Sequence, residues 1–173
     1  MTRLLVVDDQ ELVRRGLVTL LNMEDDLEVV AEAAHGQEAV EKCCQLQPDV
    51  VLMDVQMPGM NGVEATKEIL KRMPQVKVLV LTTFAEDEYI VKLVRAGASG
   101  YLLKNMQPDL LSDAIRAVHK GVTQLDASVA QRLARYVATT SAPIGALPVN
   151  LNKLSEREAE FRSKLPFAKR PPE

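Results

Sequence analysis

Short runs of valine, isoleucine and leucine recur along this chain, separated by longer stretches in which apolar residues return every three or four positions. The runs lie near residues 3–7, 27–33, 50–53, 77–81 and 100–103. Each has the length of a strand and is rich in Val, Ile and Leu, as expected where a parallel sheet is covered on both faces. The intervals between them have helical spacing. Glu11 to Met23 carries Leu12, Val13, Leu17, Leu20 and Leu21, with polar residues elsewhere on the helix. Gln37 to Leu46 turns Ala39, Val40 and Cys43 inward, Val63 to Met73 does so with Ala65, Ile69 and Leu70, and Asp87 to Ala96 with Ile90, Val91 and Val94. Gly97 supplies a helix stop. A fifth helix, Pro108 to Lys120, opens on a proline suited to a first turn and ends at Gly121. Strand and helix in alternation predict an α/β domain of stacked βαβ units over residues 1–121.

Past Gly121 the alternation stops. Ser128 to Ala138 offers Val129, Leu133 and Val137 as one stripe of a further helix with no strand after it, so 122–138 reads as a connector. Residues 139–152 mix Thr, Ser, Ala and Gly with Pro143 and Pro148, the composition of a flexible linker. In 153–173, Ser155 with Glu158 three positions on forms a capping-box signature, so a helix begins there.

Composition narrows the setting. A chain of 173 residues, 47% hydrophobic and 26% charged, can bury one good core but hardly two full domains. Met1 to Val7 is too short an apolar run for a signal peptide, and nowhere do about 18 apolar residues run together. A soluble cytoplasmic protein with no membrane partner is expected. Cys43 and Cys44 are adjacent, which excludes an ordinary disulfide between them, and they read as helix packing. Residues 1–152 hold 15 Lys/Arg against 20 Asp/Glu, and 153–173 hold 6 against 4. An acidic body does not suggest an extended nucleic-acid surface.

The chemistry sits where the apolar runs end. Asp8 and Asp9 follow Leu4 to Val7, Asp54 follows Val50 to Met53, Thr82 follows the fourth run and Lys104 the fifth. In an open parallel sheet the carboxyl ends of neighbouring strands converge on one crevice, so these distant positions can share a pocket. Like charges about 4 Å apart repel by about 4 kcal/mol per pair at an effective dielectric of about 20, so clustered carboxylates are poor structure without a cation. Magnesium suits them, since it takes oxygen ligands and is held by one or two carboxylates plus phosphate; manganese would serve as well. Asp54 is the expected nucleophile toward a phosphoryl group, forming an acyl phosphate. Lys104 would pair with that phosphate and the Thr82 hydroxyl would swing toward it, with Thr83 the weaker candidate. Taken singly, an aspartate after a strand is often only a cap or turn residue, but several polar groups at successive strand ends are hard to obtain by chance. Pro58, Gly59 and Gly62 read as loop punctuation. Tyr101 is either ordinary packing or a ring that reports whether the pocket is filled.

LLVVDD (4–9), VVLMDVQMPGMNGVEA (50–65), VLVLTTF (78–84) and AGASGYLLK (96–104) resemble the receiver domain of two-component response regulators over about residues 2–120. The stretch TTFAEDEYIVKLVRAGASGYLLKN and the connector helix are similar to the NarL/FixJ group, which joins a receiver to a LuxR-type helix-turn-helix. The resemblance implies a flavodoxin-like (βα)5 doubly wound parallel sheet of order 2-1-3-4-5, followed by a connector helix and short tail. It implies Asp54 as phosphoacceptor, Asp8, Asp9 and Asp54 with the Gln56 backbone carbonyl as magnesium ligands, Thr82 and Tyr101 as a switch pair, and Lys104 as the phosphate clamp. A sensor histidine kinase would supply the phosphoryl group, the receiver would either form a homodimer or release its DNA-binding domain, and promoter DNA would be a partner of the full-length form. Asn105 stands where many receivers have proline, so no cis bond is expected.

LSEREAE (154–160) resembles the opening of the LuxR-type domain, but Phe161 to Glu173, with Pro166, Pro171 and Pro172, cannot supply a scaffold helix, a turn and a recognition helix. No specific DNA binding by this chain is expected. The ending is expected to reflect truncation, a frameshift or cloning residue, because Glu160-Phe161, Arg162-Ser163 and Lys164-Leu165 are what common cloning sites encode in frame. Two other readings remain open. A magnesium-dependent phosphatase with an aspartate nucleophile would need a second Asp two residues on as general acid, and Gln56 stands there. A receiver-like interaction module that is never phosphorylated would have no need of clustered carboxylates.

Overall fold

The computed structural model describes residues 1–83 and 86–140. Its elements are β1 (Thr2–Val7), α1 (Glu11–Leu21), β2 (Leu27–Ala33), α2 (Gly36–Leu46), β3 (Val50–Asp54), α3 (Gly62–Arg72), β4 (Lys77–Thr82), α4 (Asp87–Ala96), β5 (Gly100–Leu103), α5 (Pro108–His119), β6 (Gln124–Leu125) and α6 (Ala127–Thr139). The strands form one parallel sheet in the order β2-β1-β3-β4-β5-β6. The expected flavodoxin-like order 2-1-3-4-5 is present, with a sixth strand added beyond β5.

Alternate residues of the central strands go to opposite faces, and both faces are covered. Leu5, Val7, Val51, Met53, Val78, Val80 and Tyr101 join one core with residues of α2, α3, α4 and α6. Leu4, Val6, Val50, Leu52, Leu79, Leu81 and Leu102 join the other with residues of α1 and α5. A strand buried on both sides has no use for polar positions, which is why the runs are apolar rather than alternating. Cys43 is buried in α2 and lies in the first of these cores. Burial pushes its thiol up to about 12, as expected of an inert packing residue.

On α1 the inward face differs from the expectation. Leu12 is 86% exposed and Leu20 42% exposed. Nine positions apart at about 100° per residue, Leu12 and Leu21 point to opposite sides of a helix, and Leu21 is the buried one. The strip that packs on the sheet runs through Leu17, Val18 and Leu21, and one turn before them it continues with Arg14, whose side chain is only 15% exposed.

Beyond α5, the two residues of β6 are too few to carry a period. Gly100 admits them: a β-carbon there would lie 2.6 Å from the Gln124 carbonyl oxygen. The Asp126 N–H then donates to the Tyr101 carbonyl at 3.0 Å, and the Asp126 carboxylate accepts from the Ser128 N–H at 2.9 Å, capping α6. This helix begins and ends one residue outside the expected 128–138. It lies against α4, with Val129 and Leu133 fully buried and Arg132 3.3 Å from Asp87. The linker expected over 139–152 lies outside the described residues apart from Thr139 and Thr140, as does all of 153–173. No described helix is long and apolar enough to cross a membrane, and among the described residues no peptide bond is cis.

Candidate functional site

The carboxyl ends of β1, β3, β4 and β5 meet at one cleft, lined in part by Asp9, Asp54, Gln56, Thr82, Tyr89 and Lys104. Each polar group is placed by the strand before it. Asp8 is the first residue after β1, and its N–H still donates to the Ala33 carbonyl of β2 at 3.1 Å. Its side chain is buried, and its Oδ1 accepts from the Gln10 N–H at 2.9 Å, which closes the turn into α1. Asp9 is exposed on the cleft. Asp54 is the last residue of β3 and nearly buried, with Oδ1 held by the Val55 N–H at 2.8 Å. Lys104 follows β5, and its backbone N–H donates to the Thr82 carbonyl at 2.8 Å.

Carboxylate oxygens of Asp8, Asp9 and Asp54 lie within 4.8 Å of one another. Lys104 Nζ reaches into this group, 2.5 Å from Asp8 Oδ2 and 3.3 Å from Asp54 Oδ2. Burial holds the Asp54 carboxyl above its ordinary range, with the charge of Asp8 adding to the effect and the charge of Lys104 opposing it. One ammonium among three carboxylates leaves net negative charge in a largely buried crevice. The donor set is all hard oxygen, which fits a small divalent cation of the magnesium type and does not fit a soft metal.

Thr82 ends β4 with its side chain buried, whereas Thr83 is exposed. By strand parity Thr82 and Tyr101 lie on the same face of the sheet, on neighbouring strands. Tyr101 lies in the core and does not line the cleft. Burial pushes its phenol up to about 12, with the adjacent Thr82 side chain pulling the other way. Of the expected residues, Asp8, Asp9, Asp54 and Lys104 therefore converge directly, Thr82 and Gln56 border them, and Tyr101 stands behind Thr82.

Three contributors were not read from the sequence. The Gln10 N–H fixes Asp8, and a backbone amide carries no sequence signal. Gly62 is more than the loop punctuation its sequence suggests, since it opens α3 against the β3 end: its N–H donates to the Val55 carbonyl at 2.9 Å, and a β-carbon on it would meet the Asp54 carbonyl oxygen at 2.1 Å. Arg14 was hidden by its charge, although its place one turn before Leu17 and Val18 was visible in the spacing.

Residues 4–116 match the response regulator receiver domain family. The chain belongs to that family. It is 42% identical over 171 residues to the transcriptional regulatory protein LnrK of Bacillus subtilis, covering 96% of this chain and 78% of that one. It is 44% identical over 161 residues to the transcriptional regulatory protein LiaR of the same organism, covering 93% and 74%. Among solved structures, a LuxR-family two-component response regulator from Aurantimonas sp. SI85-9A1 aligns with TM-score 0.74 and 34% identity over 80% of this chain and 99% of that one. A LuxR-family DNA-binding response regulator from Staphylococcus aureus aligns with TM-score 0.66 and 33% identity, covering 69% and 99%. Residues 4–116 are thus the receiver of a LuxR/NarL-type response regulator.

Proposed function

We propose that this receiver takes a phosphoryl group onto Asp54 from a sensor histidine kinase and converts it into a change of shape. The observation that carries the reading is the convergence of Asp8, Asp9 and Asp54 within 4.8 Å, with Lys104 bridging Asp8 and Asp54. Asp8, Asp9 and Asp54, with the Gln56 backbone carbonyl, would hold magnesium, which when bound neutralises charge on the transferring phosphoryl oxygens.

In the step itself a carboxylate oxygen of Asp54 attacks phosphorus, an O–P bond forms, and the P–N bond to the donor imidazole breaks. The electron pair of that bond leaves with the imidazole, which then binds a proton. The Val55 N–H orients the Asp54 carboxylate for in-line approach. Lys104 moves from the carboxylates to the new phosphate. The acyl phosphate carries about −1.5 to −2 charge at neutral pH where the carboxylate carried one, and Thr82 turns its hydroxyl toward it. Tyr101, packed beside Thr82, then repacks with it. Because the Tyr101 carbonyl accepts from Asp126 at the head of α6, that repacking reaches the helix leading out of the receiver. In a full-length regulator the output is control of transcription, in line with the named relatives.

Incubation with acetyl phosphate, with and without magnesium, tests the reading by intact mass on the native chain and on Asp54→Asn. One phosphoryl group gained only with magnesium and lost in the variant supports it. A folded native chain that stays unmodified under both conditions turns the reading toward a binding module.

A further inference from the structure

Arg14 stands apart from the other charged residues of α1. Its side chain is 15% exposed, against 65% for Glu11 and 72% for Arg15, and it lies on the strip that faces the sheet. The guanidinium makes two directed contacts. Nη1 donates to the backbone carbonyl of Asp8 at 2.8 Å, and Nε donates to Glu32 Oε2 on β2 at 3.1 Å.

These contacts fall where the β1–β2 ladder ends. The last rung is the Asp8 N–H to the Ala33 carbonyl. One residue further along β2 the Ala34 N–H donates to the Glu38 carboxylate at 2.8 Å as the chain turns into α2, and the Asp8 carbonyl accepts from the Arg14 guanidinium. That carbonyl belongs to the Asp8-Asp9 peptide. Since a peptide is planar, fixing its carbonyl direction fixes the direction in which the chain leaves toward Asp9. One guanidinium therefore anchors the peptide that joins two of the three clustered carboxylates. Glu32 holds the guanidinium in place and offsets a positive charge that would otherwise stand near a cation site.

We infer that Arg14 is a positioning residue for the cation site, acting through the Asp8-Asp9 peptide with Glu32 as its anchor. The inference rests on the proposed binding of a divalent ion by Asp8, Asp9 and Asp54. A guanidinium that only tethers α1 to the sheet would affect melting and leave ion affinity alone, and this separates the two roles.

The test measures Mg2+ affinity by titration calorimetry and Mn2+ affinity from the free-ion paramagnetic resonance signal. It uses the whole chain, well below the lowest melting temperature of the set. The native chain is compared with Arg14→Met, Arg14→Lys, Glu32→Gln and, as the site control, Asp9→Asn. Residues that orient metal ligands typically change affinity by about tenfold or more, so Arg14→Met is expected to bind both ions about tenfold more weakly. Arg14→Lys should fall between, since one ammonium reaches the carbonyl without the planar fork, and Glu32→Gln should lose less than Arg14→Met. Native affinity in Arg14→Met overturns the inference whatever its melting temperature. If that variant does not fold, native affinity in Arg14→Lys overturns it instead. A folded native chain that binds neither ion overturns the cation reading itself, and the inference falls with it. Binding by the native chain with loss only in Asp9→Asn overturns the inference alone.

Discussion

Gly62 and Asp54 meet backbone to backbone: a β-carbon on Gly62 would lie 2.1 Å from the Asp54 carbonyl oxygen and 2.8 Å from the Val55 α-carbon. Neither neighbour is a flexible side-chain tip that can swing away. The first turn of α3 is thereby seated on the residue that ends β3, and the capping box of Asn61 and Glu64 fixes that turn. Gly62→Ala must push α3 away from the β3 end or displace Asp54. Overpacking of this kind typically costs about 1–3 kcal/mol. The variant is expected to melt earlier and, while still folded, to take up phosphate from acetyl phosphate more slowly than Gly16→Ala, whose β-carbon meets nothing within 4 Å. Equal labelling rates in the two variants would show that the contact does not govern Asp54.

Lys104 compensates two buried carboxylates at once, so its removal has a signed consequence. In Lys104→Met, Asp8 and Asp54 lose the ammonium at 2.5 and 3.3 Å. Breaking a buried pair by deleting one partner costs about 3–5 kcal/mol, and with 14% of the lysine side chain exposed the lower end, about 3 kcal/mol, is expected here. The orphaned carboxylates should then gain more from a divalent ion than the native cluster does. Thermal melts with and without saturating Mg2+ are expected to show a larger magnesium-induced rise in Lys104→Met than in the native chain. A smaller rise would mean that Lys104 helps to build the ion site rather than sharing its charge.

What the sequence made legible follows from burial. A polar side chain at the end of an apolar strand contrasts with what precedes it, so Asp8, Asp9, Asp54, Thr82 and Lys104 could be picked out, and the parallel sheet then brought them together. The same contrast failed in three places. Leu12 is apolar yet exposed, because spacing shows that a helix has a face but not which arc touches the sheet. Arg14 is charged yet packed, because its long stem runs along the sheet while its head finds a carbonyl and a carboxylate. The two residues of β6 are specified by the gap that Gly100 leaves beside them rather than by any pattern of their own.

The docking of α6 predicts a graded set of losses. Val129 is fully buried and Leu133 is 1% exposed, in a core that also holds Ile90, Val91 and Val94 of α4. Leu133→Ala leaves a cavity against α4 and is expected to cost about 2–5 kcal/mol. The Arg132 and Asp87 pair, with side chains 42% and 61% exposed, should contribute no more than about 1 kcal/mol. Chemical denaturation of Leu133→Ala, Arg132→Gln and the native chain checks the order. If Leu133→Ala were as stable as Arg132→Gln, α6 would not be held as part of the receiver core.

Tyr101 gives a prediction with pH. Its phenol, ordinarily near 10, is raised to about 12 chiefly by burial, so folding favours the protonated form. A group whose folded-state value lies above its unfolded one contributes stability that is whole below the unfolded value and is lost as pH rises through the folded one. The Tyr101 contribution should therefore be complete below about pH 10 and fade toward about pH 12. Cys43, raised to about 12 by burial, fades in an overlapping window, so the native chain must be compared with Tyr101→Phe rather than read alone. In alkaline titrations followed by phenolate absorbance, the native-minus-variant difference should stay flat through the ordinary tyrosine range and rise only near the unfolding transition. In denaturation series, the stability difference between native and Tyr101→Phe should shrink, or turn in favour of the variant, as pH climbs from 9 to 12. A difference spectrum that rises fully near pH 10 would mean that the phenol is open to solvent, and the packing of Tyr101 beside Thr82 would then not hold in solution.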